Sequence, residues 1–376
     1  MKTLGLYLHI PFCRSKCLYC DFCSLPRPDG ERVDAYVTAL CRDLAGRAGE
    51  CGEHTVDTVY LGGGTPTLLS AAQMEKILDT VTGNYHLSSH AEITAECNPA
   101  TATEDALLRM RRAGLNRLSI GLQSAQPEEL RALGRLHSFA DFCRTWEGAR
   151  RAGFDNLSVD LMEGIPKQTR ESWLDTLEKV CDLSPEHISA YGLTVEPNTP
   201  FGKMGERLIL PDEESARSMY FDGIAYLRSR GYLQYEISNF AREGYESRHN
   251  LKYWNCEPYL GFGVAAHSDF GGDRFGNSED VDAYIRGEGI EEERSTPTRE
   301  ERANEFVMLQ MRLRRGLDGE ALAARFGVGA ERFFGRNVGP FLSAGLLVAT
   351  ERGYALTEEG MYVSNLILSE ILSFGD

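Results

Sequence analysis

Short strand-like runs alternate with amphipathic helical segments through the first 200 residues, and this alternation constrains the fold more than any other feature. Such alternation is typical of stacked βα units around a parallel sheet. Six units predict an α/β fold with an incomplete, TIM-like (βα)6 barrel rather than a flat doubly wound sheet. The predicted strands are Gly5–Ile10, Val56–Leu61, Glu92–Cys97, Arg117–Leu122, Asn156–Leu161 and His187–Leu193. The predicted helices include Asp34–Ala48, Ala71–Thr82, Thr103–Ala113, Phe139–Ala152 and Arg170–Cys181.

These strands are apolar on one face and polar on the other. Parallel strands are usually apolar on both faces, because both faces are buried. A polar inner face would leave unpaired groups at high cost unless it lines a ligand cavity. We therefore expect four residues of that face, Tyr7, Glu96, Gln123 and Asp160, to surround a large polar ligand near the strand ends.

Three closely spaced cysteines, Cys13, Cys17 and Cys20, follow the first predicted strand. Three thiolates at this spacing can bind three irons of a [4Fe-4S] cluster and leave the fourth iron open to another ligand. The alternatives are a zinc knot or incidental buried cysteines. Structural zinc needs a fourth ligand, usually from a second close pair, and no Cys-x2-Cys pair occurs outside this segment. The spacing therefore favours a cluster with an open iron.

Composition narrows the cellular setting and the partners. The net charge of −16 argues against a nucleic-acid partner, because surfaces that bind nucleic acid are normally basic. No apolar run approaches the roughly 18 residues that span a bilayer, and the N-terminal segment does not have the pattern of a signal peptide. Ten cysteines without an export signal indicate a reducing compartment. We expect a cytoplasmic protein without a transmembrane segment.

The pattern changes beyond Pro200, and the chain is predicted to divide into three segments. Residues 1–200 form the barrel, residues 201–295 a connecting region and residues 296–376 a C-terminal α+β domain. Tyr232–Asn239 is expected to form a further strand. A capped helix near Gly316 and a hairpin after Gly345 are typical of a winged helix. Since no basic recognition helix accompanies them, DNA binding is not expected.

Two glycine-rich motifs allow more than one interpretation. Gly62-Gly-Gly-Thr-Pro66 directly follows a predicted strand, where glycines let the backbone approach a ligand closely, although an ordinary strand-to-helix turn is the alternative. It is not a P-loop, because no Gly-Lys-Ser/Thr follows. Gly261-Phe-Gly-Val-Ala-Ala266 matches the loose dinucleotide fingerprint without a clear preceding strand, so we predict a turn or cavity wall and no NAD site.

His249 lies in the motif Arg248-His-Asn-Leu-Lys-Tyr-Trp254. A histidine beside aromatic residues can be a core residue with satisfied hydrogen bonds. It can also ligate haem iron through its neutral imidazole, with the aromatic rings packed against the porphyrin. The residues alone leave both interpretations open.

Over nearly its full length the chain resembles the coproporphyrinogen oxidase-like branch of the radical S-adenosylmethionine (SAM) superfamily. The resemblance rests on the three-cysteine loop, Gly62-Gly-Gly-Thr-Pro, Glu96-Cys-Asn-Pro, Gly121-Leu-Gln, Gly134-Arg-Leu-His, Asp160-Leu-Met-Glu-Gly-Ile-Pro, Tyr191-Gly-Leu-Thr, Arg248-His-Asn-Leu-Lys-Tyr-Trp and Tyr259-Leu-Gly-Phe-Gly. It implies that Cys13, Cys17 and Cys20 bind a [4Fe-4S] cluster whose open iron holds SAM. It also implies a set of residues around SAM, namely Tyr7, Tyr19, Gly63, Gly64, Thr65, Glu96, Gln123, Arg135 and Asp160.

Within this branch the chain is more similar to the haem chaperones than to the oxygen-independent coproporphyrinogen III oxidases. Only twelve residues precede Cys13, and Phe22 stands where the oxidases have a fourth cysteine, with Cys23 one residue later. The motif around His249 is also a chaperone feature. The resemblance implies a chaperone that binds haem near His249 and passes it to acceptor proteins, with an electron donor such as flavodoxin or ferredoxin. The alternative is a coproporphyrinogen III dehydrogenase, which oxidatively decarboxylates propionate side chains; a SAM-cleaving enzyme with another substrate is a third possibility.

Overall fold

The computed structural model describes residues 2–334 and 338–372. The strands are β1 (Lys2–Ile10), β2 (Phe12–Cys13), β3 (Leu25–Pro26), β4 (His54–Gly63), β5 (Leu87–Cys97), β6 (Arg117–Gln123), β7 (Leu157–Glu163), β8 (His187–Gly192), β9 (Leu233–Gln234), β10 (Asn239–Ala241), β11 (Tyr259–Phe262), β12 (His267–Phe270), β13 (Asp273–Asn277), β14 (Glu291–Ser295), β15 (Leu347–Ala349) and β16 (Tyr354–Leu356). The helices are α1 (Gly30–Arg47), α2 (Ala71–Asn84), α3 (Glu104–Arg112), α4 (Pro127–Ala132), α5 (Phe139–Arg151), α6 (Arg170–Asp182), α7 (Pro200–Met204), α8 (Glu213–Ser229), α9 (Arg248–Trp254), α10 (Val281–Arg286), α11 (Arg299–Gln310), α12 (Gly319–Phe326), α13 (Glu331–Phe334), α14 (Val338–Ser343), α15 (Glu358–Tyr362) and α16 (Ser364–Ile371). Short 3-10 helices cover Ala48–Cys51, Pro66–Leu68 and Gly205–Arg207.

Twelve strands form one sheet in the order β14-β13-β12-β11-β1-β4-β5-β6-β7-β8-β10-β9. The strands from β11 to β8 run parallel, and antiparallel strands extend both edges. The predicted barrel strands are β1, β4, β5, β6, β7 and β8, which are neighbours in sequence order. The α/β prediction with a partial parallel barrel is confirmed.

Local sequence determines where the long helices of this layer begin. Each is preceded by a residue whose side chain accepts a hydrogen bond from a backbone amide of the first turn. One such N-cap residue stabilises a helix by about 1 kcal/mol. These N-cap residues are Asp29, Ser70, Thr103, Ser138, Thr169 and Asp212. The helices therefore start at positions that the sequence itself specifies.

Two expectations for residues 201–295 were wrong in part. Gly261–Ala266 was expected to be a turn or cavity wall with no clear strand before it. Residues 263–265 do form a turn, but Gly261 and Phe262 belong to strand β11, which is paired in parallel with β1. Its Gly261 is needed because a Cβ there would lie 2.2 Å from the backbone oxygen of His267 on the adjacent strand. Tyr232–Asn239 was expected to be one strand, whereas two short antiparallel strands, β9 and β10, occupy this region.

The apolar face of the barrel strands packs against the helices. Leu6, Leu8, Leu61 and Leu118 are fully buried there, and each such side chain contributes about 1.5–3 kcal/mol through burial. This core continues to Tyr284, so residues 201–295 complete the sheet rather than building a separate one. The division into three segments, with its two boundaries, stays a prediction.

The C-terminal part has its own apolar core, which runs from Ala303 to Leu372. The capped helix predicted near Gly316 is α12, which begins after the N-cap Asp318. The hairpin predicted after Gly345 is formed by β15 and β16. Across residues 2–334 and 338–372, none of the helices combines the length and the apolar character that crossing a bilayer demands.

Candidate cofactor site

Cys13, Cys17 and Cys20 lie in the loop between β1 and α1, at the carboxyl end of the barrel strands. The base of this loop is closed by the parallel pairing of β2 with β3, and its turn is closed by Cys20 N, which donates to the Cys17 carbonyl at 3.3 Å. All three thiols are free and half-buried. Burial raises the pKa of the Cys13 and Cys20 thiols, and the nearby Cys17 sulfur raises both further. The three sulfurs are therefore close enough to interact electrostatically.

Polar side chains contact two of the three thiols. Cys13 Sγ lies 3.6 Å from Thr65 Oγ1, and Arg135 Nη1 donates to Cys17 Sγ at 3.4 Å. Contacts of this kind orient side chains that bind a metal. Among the residues that the structure describes, no three His, Cys, Asp or Glu side chains are placed to hold one metal ion.

Arg135 joins the cysteine loop to the ends of two strands. Its Nη2 donates to Asn98 Oδ1 at 2.6 Å and to the Gly121 carbonyl at 2.5 Å, and Asn98 Nδ2 donates to Thr65 Oγ1 at 2.7 Å. Arg135 Nε is buried and has no hydrogen-bond partner among the described residues. Asn98 was not predicted as a site residue from the sequence, although it belongs to the motif Glu96-Cys-Asn-Pro, on which the family resemblance partly rests.

Two carboxylates face the barrel mouth. Glu96 accepts hydrogen bonds from Tyr60 OH and from Gly63 N, both at 3.1 Å, and Asp160 accepts one from Ser119 Oγ at 2.9 Å. Burial raises the pKa of Glu96 to about 7, and the charge of Asp160 adds to the shift. Burial also raises the pKa of Asp160. Because two like charges share this space, a cationic ligand would stabilise both.

Tyr7 connects these carboxylates to the cysteine loop. Its ring stacks on Tyr60 at a centroid distance of 6.3 Å, and its hydroxyl lies 3.1 Å from His9 Nδ1. His9 Nε2 in turn lies 2.8 Å from the Cys23 carbonyl. Tyr60 was missed from the sequence, although the alternation of Thr58 and Tyr60 along β4 would have placed it on the polar face.

Gln123 and Tyr19 complete the predicted set at this end. Gln123 ends β6 at a bulge and has a φ of +69°, an uncommon conformation for a residue with a side chain. Both side chains are half-buried. Tyr19 packs beside the small apolar cluster that contains Leu133 and Phe201. The structure thus brings all the residues expected around SAM to the same end of the barrel.

The Gly62–Pro66 segment is shaped first by contacts within the protein. Gly63 has a φ of +101°, and a Cβ there would lie 2.3 Å from the His9 ring. A Cβ on Gly64 would lie 2.6 Å from the Ile10 carbonyl. The amides of Gly63, Gly64 and Thr65 all donate to protein acceptors. Glycine is therefore required here for close packing of β4 against β1 and the cysteine loop.

His249 lies at the opposite, amino end of the barrel. It is 1% exposed, with Nδ1 2.8 Å from Thr58 Oγ1 and Nε2 2.9 Å from Tyr253 OH. Burial lowers its pKa to about 3, so the ring is neutral. Tyr60 lies between the two sites, because its ring stacks on His249 and its hydroxyl donates to Glu96. Ligation of haem iron by His249 would require one of its hydrogen bonds to break, and this assignment stays a prediction.

Comparisons with known proteins agree with this arrangement. Residues 7–180 match the model of the Radical SAM superfamily, and residues 298–363 match the HemN C-terminal domain. "Heme chaperone HemW" of Bacillus subtilis is 35% identical, covering 97% of this chain and 98% of that protein. The protein of the same name from Escherichia coli is 41% identical over 71% of this chain and 70% of its own.

A solved structure extends the likeness to three dimensions. Coproporphyrinogen III oxidase (HemN) from Escherichia coli superposes with a TM-score of 0.87 at 25% identity, covering 100% of this chain and 91% of that one. Both the barrel and the C-terminal part therefore have counterparts in one known fold. The chain belongs to the radical SAM superfamily and, within it, to the family of the heme chaperone HemW, as its motifs predicted.

Proposed function

We propose that this protein is a haem chaperone that binds haem and transfers it to haem-dependent acceptor proteins, with a [4Fe-4S] cluster and SAM as its cofactors. The observation that carries the proposal is a loop of three free thiols at the polar mouth of the barrel, in a chain that aligns end to end with a relative named heme chaperone. Its partners would be acceptor proteins and a cytoplasmic electron donor such as flavodoxin or ferredoxin.

Cys13, Cys17 and Cys20 would hold the cluster. Arg135 supports this role because its guanidinium donates to Cys17 Sγ and to the Gly121 carbonyl, which ties the cysteine loop to the end of β6. Thr65 Oγ1, which lies beside Cys13 Sγ, is itself held by Asn98. This second layer of contacts would orient the thiolates before iron arrives.

SAM would lie beside the cluster in the barrel mouth, where reductive cleavage of its sulfonium supplies a radical. SAM carries an ammonium and a sulfonium, and Glu96 and Asp160 provide the negative charge that such a ligand needs. Tyr7, Tyr19, Gln123 and Arg135 would complete the walls. The amides of Gly63, Gly64 and Thr65 already donate to protein acceptors, so these residues would contact SAM through their other backbone atoms.

A second candidate function is oxidative decarboxylation of coproporphyrinogen III. It is favoured by the structural likeness to HemN, at a TM-score of 0.87. Phe22 argues against this function. Its exposed aromatic side chain occupies the position of the fourth cysteine that is expected in the oxidases. The end-to-end relatives also carry the chaperone name. We therefore favour the chaperone.

One paired experiment tests the proposal. The protein is reconstituted anaerobically with iron and sulfide, and haem binding and conversion of coproporphyrinogen III are both measured with SAM and a reductant. Haem binding and transfer to an apo-haem protein without turnover are expected. Conversion to protoporphyrinogen would overturn the chaperone proposal in favour of the oxidase, and failure to bind haem at all would overturn it outright.

A further inference from the structure

The closed surroundings of His249 raise the question of where haem could enter. His249 lies on the buried side of α9, with one ring face on Tyr60 at a centroid distance of 5.2 Å and its edge on Tyr253 at 5.1 Å. The C-terminal part covers the far side of α9, since Gln310 Nε2 donates to the Trp254 carbonyl at 3.1 Å. A porphyrin cannot reach the imidazole without separating these layers.

A cleft of about 450 Å³ opens at the other end of the barrel, beside the cysteine loop. Its volume lies within the range of about 300–1,000 Å³ that is usual for small-molecule sites. Phe12 and Leu69 form its buried back wall, and Val33 and Leu68 form its half-buried sides. Cys13 also lines it, so a ligand there would lie next to the proposed cluster. The body of the cleft suits a flat apolar molecule.

Two arginines stand at the rim of this cleft. Arg14 and Arg27 are exposed, and neither side chain has a hydrogen-bond or ion-pair partner among the residues that the structure describes. Both guanidinium groups are therefore available to an anionic ligand. Guanidinium groups bind carboxylates through paired, charge-assisted hydrogen bonds. The rim is therefore suited to a ligand with two carboxylates.

The backbone holds Arg27 at this rim in a strained conformation. Its φ is +54°, which costs free energy for a residue with a side chain, and its amide donates to the Cys13 carbonyl at 2.9 Å. The cleft also lies between the first turns of α1 and α2, where helix dipoles favour anions. Two carboxylates at the start of α1 accept hydrogen bonds from other groups: Asp29 caps the helix, and Asp34 accepts from Gln73 Nε2 at 2.6 Å.

We propose that this cleft, which we call the Arg14–Arg27 cleft, is the docking site for the tetrapyrrole cargo. The apolar ring lies against Phe12, Val33 and Leu68, and the two propionates pair with Arg14 and Arg27. This inference rests on the proposed chaperone function and names the place on the chain where the cargo binds. It also places the cargo beside the cluster loop, in a cleft that His249 does not line.

The composition of the cleft makes the selectivity testable. No histidine, methionine or tyrosine lines it, so recognition depends on the ring and the propionates rather than on the iron. Metal-free protoporphyrin IX should therefore bind with an affinity similar to that of haem. Two arginines match two propionates, so coproporphyrin III, with four carboxylates, should bind no more tightly.

The test compares Arg14→Gln/Arg27→Gln with Arg112→Gln/Arg131→Gln in the full-length protein. Arg112 and Arg131 are also exposed but lie on α3 and α4, so their removal matches the change of charge. Haem and metal-free protoporphyrin IX are titrated by absorbance and tryptophan fluorescence. Loss of both carboxylate pairs should weaken binding of both porphyrins about tenfold in the first variant only. Melting temperature and iron content check that the exposed substitutions leave fold and cluster intact.

The outcomes separate this inference from the proposed function. Haem that binds the wild type and Arg14→Gln/Arg27→Gln equally would overturn the cleft and leave the chaperone proposal standing. Wild-type protein that binds no haem would overturn both. Binding of haem without binding of metal-free protoporphyrin IX would show that the iron is ligated, which contradicts this cleft. Unchanged haem binding with slower reduction of the cluster by flavodoxin would instead assign the arginines to a protein partner.

Discussion

The two ends of the barrel are built from the same strands, but their polar side chains differ in exposure and in how completely they are hydrogen-bonded. At the carboxyl end Glu96, Asp160 and Arg135 are half-exposed, and Arg135 Nε has no partner within the described residues. At the amino end His249 and Lys252 are 1% and 3% exposed, and each is bonded on several sides. The comparison indicates that one end is prepared for ligands and the other is sealed.

The seal is the helix α9, which carries the motif around His249. Glu92, 6% exposed, accepts from the amides of Arg248 and His249 at 3.2 and 3.1 Å, so its carboxylate satisfies the first turn of the helix. Lys252 Nζ lies 2.8 Å from Asp57 Oδ1. On its outer side α9 meets the C-terminal part, where Arg325 Nη1 donates to the Asn255 carbonyl at 2.7 Å. The helix that carries this motif therefore contacts both the barrel and the C-terminal part.

The largest expected effect is at the carboxyl end of the barrel, which we call the open end, and it concerns cluster binding without a change in stability. Cys17→Ser should abolish assembly of the four-iron cluster, because one iron loses its thiolate. The melting temperature of the cluster-free protein should change little, since Cys17 is half-buried and contributes nothing to the apolar core. Iron and sulfide analysis with the absorbance of the reconstituted protein gives the readout. Cys143→Ser, a half-buried cysteine on α5, is the control, and full iron content in Cys17→Ser would refute the assignment.

The next effect lies at the sealed end and concerns stability. Lys252→Met should lower the free energy of unfolding by about 2–3 kcal/mol, because Asp57 and Glu257, which are partly exposed, lose the charged hydrogen bonds that Lys252 donates. Chemical denaturation of the cluster-free protein measures it, and Lys203→Met, which removes an exposed lysine, is the matched control. Equal stability of the two variants would show that α9 is not a structural seal.

A smaller effect separates the histidine from the rest of the seal. His249→Phe should cost about 2 kcal/mol, because Thr58 and Tyr253 lose their hydrogen-bond partner. It should also change the pH dependence. The folded-state pKa of His249 is about 3, below the value of 6.5 for an exposed histidine. The unfolded chain therefore binds more protons between these values, and stability falls as pH drops below 6.5.

Denaturation curves at several pH values test this sign. The wild type should lose stability from pH 6.5 downwards with a slope contribution of about 1.4 kcal/mol per pH unit from His249. His249→Phe should remove that contribution while the buried His187, whose pKa is also lowered by burial, retains its own. A slope that is the same in both proteins would mean that His249 is protonated in the folded state.

The difference between the two ends also explains what could be predicted from sequence. Tyr7, Glu96 and Asp160 were recognisable because a period-two pattern and short motifs specify them locally. Strand β11 was not, since it has only four residues, Gly261 interrupts its apolar run, and its partner β1 lies more than 250 positions away. One ring nitrogen of His249 contacts Tyr253 of the same helix, but the other contacts Thr58 on β4, so the motif alone could not reveal that both nitrogens are engaged.

The smallest expected effect sharpens the description of the open end through Glu96. Its pKa of about 7, raised from 4.5 by burial and by Asp160, means that the carboxylate is protonated in about half of the molecules near neutral pH. A cationic ligand binds the ionised form better, so affinity for SAM should rise between pH 6 and pH 8 in the wild type. Glu96→Gln should flatten this dependence and weaken binding about tenfold at pH 8, with little difference at pH 6.

Calorimetric titration of SAM into the reconstituted protein at several pH values gives the affinities. Stability supplies an independent check, because a raised carboxyl pKa makes the folded protein lose stability as pH rises from 4.5 to 7. Glu96→Gln should therefore be more stable than the wild type at pH 8 while binding SAM more weakly. Such opposite effects on stability and binding are expected of a group held in place for a ligand, and a variant that loses both together would place Glu96 among the structural residues of the sealed end.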